Sequence, residues 1–197
     1  MYKLYRCTAV LASLLCAYAQ DEPRHVYKAR VVLKGAPGSG ISGIVTFTQT
    51  RTAFLSEVTI EAQVVGLHNG ARHGMHIHEA GSCSDVTPVT GASGPFLGAG
   101  GHFDPGPNGN SNAEANHPFH MGDIPNLVVN EAGIGTLKHR TSRITLSPGP
   151  LSLFDDNGSA VILHADPDQG TTGVAGGAGG ARIACGVIEL VVKEEKQ

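Results

Sequence analysis

The chain has 197 residues, 41% of them hydrophobic, and a formal net charge of −3, which suits one packed domain. No basic cluster offsets this acidic balance, so composition excludes non-specific nucleic-acid binding as a main role. An anionic substrate would need a local positive spot rather than overall charge.

At the N-terminus, Lys3 and Arg6 precede an apolar stretch from Ala9 to Ala17, too short to span a bilayer. Ala17-Tyr18-Ala19 then offers a small-x-small cleavage site. The reading is a signal peptide over 1–19 and a single mature domain over 20–197. An ordinary buried helix is the alternative, and Asp21, Glu22 and Pro23 speak against it. Losing Lys3 and Arg6 takes the net charge from −3 to −5. The expected location is secreted and extracellular, or periplasmic in a bacterium. No later segment is long enough to cross a membrane, and the charged end from Lys193 to Gln197 is unlike a lipid-anchor signal. Cys7 and Cys16 depart with the signal. The remaining pair, Cys83 and Cys185, reads as one disulfide in an exported chain, with two buried free thiols as the alternative.

The mature chain reads as strands. Val26 to Leu33, Ile41 to Thr48, Phe54 to Val65 and Arg72 to His78 alternate or cluster β-branched and apolar residues. Asn126 to Val129, Gly133 to Leu137, Arg143 to Leu146, Ala160 to Leu163 and Ile183 to Val192 do the same. The expected fold is all-β: a Greek-key antiparallel sandwich or barrel of about eight strands. Two stretches break the rhythm, Gly81 to Pro125 and the glycine-rich Ala165 to Ala181. Loops this long in a compact domain are usually functional or disordered, and His102, His117, His120 and Asp123 make the first a functional candidate.

In the run His73-Gly-Met-His76-Ile-His78-Glu79, His76 and His78 stand two apart on a strand and share one face. Such a pair can grip one metal ion, although two half-exposed strand histidines would look the same. Further blocks follow: Gly-Ala-Gly-Gly-His102-Phe-Asp-Pro, His120-Met-Gly-Asp123-Ile-Pro-Asn126, Val-Ile-Leu-His164-Ala-Asp-Pro-Asp168 and Ala-Arg182-Ile-Ala-Cys185-Gly-Val-Ile. In this order they resemble the signature blocks of the copper/zinc superoxide dismutases, from about Val26 to Val192. The long gap between Cys83 and His102 is more like the exported bacterial and fungal-type branch than the short-looped cytosolic one.

The resemblance implies a β-sandwich, for which this family is itself a standard example, and a superoxide dismutase with copper and zinc cofactors. Copper would sit on His76, His78, His102 and His164, a set that suits Cu(II). Zinc would sit on His102, His120 and Asp123. Its remaining ligand is normally a histidine eight or nine residues after the bridging one, where this chain has Asn110 and Ser111. Either His117 fills that place or zinc binding is weak; a solvated loop histidine is the alternative for His117. Asp168 matches a carboxylate that links a copper histidine to a zinc histidine, the kind of group that orients ligands.

By the same resemblance, the catalytic residues are Arg182, as guide for the superoxide anion, and His102, which takes up and delivers a proton. A solvated strand-start arginine is the alternative for Arg182. Because no lysine lies between Asp168 and Arg182, steering should rest mostly on Arg182. His25, His68 and His139 are expected at the surface, and His73 in a structural hydrogen bond. Copper-only dismutation, or copper binding without turnover, are the competing functions. No nucleic acid or membrane partner is expected. Oligomeric state stays open, with a homodimer allowed by the resemblance, and Asn157-Gly-Ser159 is a glycosylation sequon if the host is a eukaryote.

Overall fold

The structure, a computed structural model, describes residues 24–51, 56–86, 91, 93–105, 120–169 and 179–196. The signal segment, Asn110, Ser111 and His117 lie outside the described residues. Ten strand segments account for most of the regular structure: β1 (Arg24–Gly35), β2 (Ser42–Arg51), β3 (Ser56–Val65), β4 (Arg72–His73), β5 (Met75–His78), β6 (Leu127–Val129), β7 (Gly135–Thr141), β8 (Ala160–His164), β9 (Arg182–Val187) and β10 (Glu189–Lys196). All pair antiparallel, in the order β4-β6-β7-β3-β2-β1-β9-β8-β5, with β10 continuing β9 along β1. Gly74 alone separates β4 from β5 and Ile188 alone separates β9 from β10, so the described residues run as eight continuous strands. Because β4 and β5 stand at opposite ends of the sheet, the strand they form nearly closes it into a barrel. The connections that skip from β3 to β4 and from β7 to β8 make it a Greek key.

Sequence alternation explains the packing. Along β1, Tyr27, Ala29, Val31 and Leu33 are buried while Lys28, Arg30, Val32 and Lys34 face solvent. Phe47, Val58, Ile60, Met75, Ile77, Leu127, Val161 and Leu163 complete the inward face. Strands β5 and β8 depart from alternation: all of their residues are buried. Their outward residues lie under the long loop, where Ala160, Ile162 and Cys185 meet Ala99, Cys83 and Phe96 in a second, smaller core.

One expected strand is absent. Arg143 to Leu146 forms no ladder; Thr145 makes an isolated bridge to Ser152. Ile144 and Leu146 are nevertheless buried. Their segment is held by the fully buried Gln49, whose Oε1 accepts the N–H groups of Leu146 at 2.6 Å and Ser147 at 2.8 Å. Gln49 Nε2 donates to the hydroxyls of Ser56 and Ser147, which satisfies the buried amide.

Candidate metal centre

One edge of β5 pairs with β8, and the other receives the long loop. Ile77 N–H donates to Gly122 O at 2.9 Å and Phe103 N–H donates to Ile77 O at 2.8 Å. Single bridges consequently set His76 opposite Asp123 and His78 opposite His102. On the other side, β8 ends at His164, whose N–H donates to Gly74 O. Two distant loop segments and two strands thereby bring six of the expected metal ligands to one place.

The four rings of His76, His78, His102 and His164 each offer a nitrogen, all within 4.8 Å of one another. Ring centroids are 4.1 Å apart for His76 and His102, 4.8 Å for His76 and His164, and 4.9 Å for His78 and His102. A second set, His102, His120 and Asp123, meets the same limit, with His102 common to both. An imidazole has two nitrogens on opposite sides, so a single ring can serve two ions.

Each ring is fixed through its other nitrogen. His76 Nε2 donates to Asp168 Oδ2 at 2.6 Å, His78 Nδ1 to Gly100 O at 3.0 Å, and His164 Nδ1 to Gly180 O at 3.1 Å. That leaves His76 Nδ1, His78 Nε2 and His164 Nε2 buried without a hydrogen-bond partner. Buried polar atoms rarely stay so, and three converging lone pairs are what a soft-to-borderline cation needs. Burial lowers the pKa of His76 despite the Asp168 hydrogen bond, and pushes His78 well below its ordinary value, helped by the charges of His102 and Arg182. Burial brings His164 to about 4. The rings are therefore neutral and able to donate at neutral pH.

Asp123 spans both parts of the second set. Its Oδ1 lies 2.7 Å from His102 Nδ1, and its Oδ2 accepts the His120 N–H at 2.9 Å. Burial raises its pKa, but the His102 hydrogen bond and the charges of His102, His76 and His120 outweigh this and the net direction is down. Two imidazoles and a carboxylate fit zinc, which takes such donors in fours. The residue sequence reading offered as the fourth, His117, lies outside the described residues.

Arg182 stands at the start of β9, half-buried, and is not a freely solvated side chain. Its two terminal nitrogens donate to Phe96 O at 2.7 Å and Gly100 O at 2.6 Å. Gly100 O thus serves both Arg182 and His78. Phe96 has a positive φ of 57°, uncommon for a side chain of its size, and its carbonyl is one of the two that hold Arg182. Three residues on, Cys185 is bonded to Cys83, so the free-thiol alternative is excluded. Sequence reasoning missed these two carbonyl acceptors, because a backbone carbonyl leaves no side-chain signature. It also missed Asn126, whose side chain makes a reciprocal pair with the main chain of Asp168, at 2.9 Å and 2.8 Å.

Of the other histidines, His73 is buried and its Nδ1 donates to His164 O at 2.9 Å, the structural hydrogen bond expected. His68 is exposed, while the side chain of His25 lies outside what the structure describes. His139 is half-buried rather than at the open surface, because it lines a cavity of about 600 Å³ with Glu57, Arg140 and Arg143.

Fold and site together define a histidine-liganded metalloprotein built on a Greek-key barrel. Residues 41–188 match the family described as copper/zinc superoxide dismutase. A superoxide dismutase [Cu-Zn] of Deinococcus radiodurans is 37% identical over 152 residues, 76% of this chain and 80% of that protein. Superoxide dismutase [Cu-Zn] 1 of Salmonella typhimurium is 33% identical, covering 91% of this chain and 95% of its own length. The crystal structure of a SOD-like protein from Bacillus subtilis superposes with a TM-score of 0.61 at 31% identity, over 80% of this chain and 96% of that one. The chain belongs to the copper/zinc superoxide dismutase family.

Proposed function

We propose that this protein is an exported superoxide dismutase: two superoxide anions and two protons give oxygen and hydrogen peroxide. The observation that carries the reading is the set of three partnerless buried imidazole nitrogens, His76 Nδ1, His78 Nε2 and His164 Nε2, gathered around the His102 ring. When bound, copper on His76, His78, His102 and His164 supplies one-electron cycling between Cu(II) and Cu(I), and zinc on His102, His120 and Asp123 supplies a redox-inert charge.

The chain's own residues do the rest. Arg182 draws in the anion and orients it; two carbonyls hold the planar guanidinium, and its further N–H donors remain for a diatomic substrate. His102, shared by both donor sets, holds a proton on a ring nitrogen and passes it to the reduced substrate. Asp168 keeps His76 in the tautomer that leaves Nδ1 free. The N-terminal signal pattern and the Cys83–Cys185 bridge support an extracellular or periplasmic setting. Among the described residues no helix is long and apolar enough to cross a membrane.

Metal analysis of the mature protein with a superoxide-decay assay tests this. Copper and zinc both bound, with fast decay, is expected. Active protein with copper alone would select a copper-only dismutase, a reading motivated by Asn110 and Ser111 at the usual histidine positions. Copper binding without decay would overturn the enzyme reading. Arg182→Ala should slow decay and flatten its salt dependence.

A further inference from the structure

Glu79 directly follows His78, and the metal chemistry above makes no use of it. Its Oε1 accepts the N–H of Gly101 at 2.8 Å. The preceding residue, Gly100, gives its carbonyl to Arg182 at 2.6 Å. A carboxylate and a guanidinium are thereby fastened to adjacent residues of one segment, immediately before His102. The approach is close: Gly100 has a φ of +74°, and a Cβ there would lie 2.5 Å from Glu79 Oε1. Glu79 is pinned from behind as well, since its carbonyl accepts the side-chain amide of Asn157 at 2.9 Å and Gly81 N–H donates to Asn157 O. The electrostatics agree with this placement. Burial lowers the pKa of Arg182, and the charge of Glu79 works in the opposite direction.

We infer that Glu79 tunes anion capture: its carboxylate offsets part of the Arg182 charge beside the copper histidines and holds down the binding of anions in general. The inference rests on the dismutase reading and on Arg182 as guide. Glu79 therefore has two jobs with opposite consequences. The tether to Gly101 orders the segment that carries His102, whereas the charge opposes the field that draws superoxide in. Because no lysine lies between Asp168 and Arg182, one carboxylate weighs heavily. Two unit charges near each other in a water-like dielectric interact by somewhat under about 1 kcal/mol, which changes anion occupancy roughly twofold to threefold at low salt, and the effect fades as the Debye length shrinks.

The test separates the two jobs with the mature protein loaded with copper and zinc. Glu79→Gln keeps an oxygen for Gly101 N–H and removes the charge. It should raise the superoxide-decay rate constant and the affinity for azide, read from the visible spectrum, each roughly twofold to threefold at low ionic strength. Both gains should shrink at high salt, with metal content and Tm unchanged. Glu79→Asp retains the charge but shortens the tether, so azide affinity per bound copper should show no such gain. Glu79→Met, uncharged and without the Gly101 acceptor, repeats the azide measurement per bound copper should the amide variant fold poorly. Unchanged or lower azide affinity in the uncharged variants, or an unchanged or lower rate in a folded Glu79→Gln, would overturn the inference, as would an equal gain in Glu79→Asp. If Arg182→Ala also left the rate unchanged, the guide reading itself would fall; if it slowed decay while Glu79→Gln did nothing, only the role of Glu79 would.

Discussion

Which nitrogen of each histidine can donate to a metal is settled one residue at a time. Asp168 Oδ2 takes the proton-bearing Nε2 of His76, so the lone pair is on Nδ1, the atom that lies buried without a partner. Asp168→Asn removes the charge that holds this arrangement. Copper affinity should fall roughly 10- to 100-fold, measured by competition with a chelator; unchanged affinity would show that the tautomer is set elsewhere. Burial of the rings also fixes an acid limit. His164 has a pKa of about 4 against 6.5 when free. As pH falls below about 6.5 the unfolded chain takes a proton that the native ring refuses until about 4. Stability of the metal-free protein should therefore be level above that window, fall through it, and level again below. The gap at His164 corresponds to about 3 kcal/mol, and His76 and His78 push the same way. A urea midpoint that stayed flat from pH 7 to pH 4 would contradict this. The sequon reading meets an obstacle at the same scale, because Asn157 Nδ2 is engaged by Glu79 O and the Ser159 side chain is buried.

Strand β5 decides the site at the next scale, because its edge away from β8 is zipped to the loop through Ile77. Gly122 is the tight point: a Cβ there would meet Ile77 O at 2.2 Å and the Phe103 side chain at 3.1 Å. Gly122→Ala should push the segment carrying His120 and Asp123 away from His102. Zinc content should drop more than copper content, since two of the copper histidines are on β5 itself and a third ends β8; equal loss of both metals would sink this account. Much of this level was legible in the sequence. Alternation located β1, β2 and β3 to within a few residues, spacing paired His76 with His78, and the family resemblance supplied the other members of both donor sets. The misread segment, Arg143 to Leu146, has strand-like residues, but its backbone is claimed by the side chain of Gln49, 97 residues away from Leu146. A single polar residue among the buried positions of β2 gives no local sign of that contact. The breaks at Gly74 and Ile188 were invisible for a related reason: a one-residue irregularity costs the hydrophobic pattern almost nothing.

Over the whole molecule, the Cys83–Cys185 bridge joins the metal-bearing loop to the last strand across a sequence separation of 102. The bridge sits in the smaller core, with Ala99, Ala160, Ile162 and Phe96, under the loop and over β8 and β9. That core holds both the Phe96 and Gly100 region and the start of β9, the two bodies between which Arg182 is strung. A closed loop of about 100 residues is worth about 4 to 5 kcal/mol in chain entropy, which for a domain of this size is a Tm shift of about 10 to 15 °C. Replacing both cysteines by serine should produce that shift. It should also lower the decay rate per bound copper, because no copper histidine lies on the bridge whereas Arg182 is three residues from Cys185. Calorimetry with and without the bridge, beside decay rates normalised to copper content, distinguishes the outcomes. A lowered Tm with an unchanged rate per copper would mean that hydrogen bonds to the two carbonyls suffice to place Arg182, and that the bridge stabilises the barrel alone.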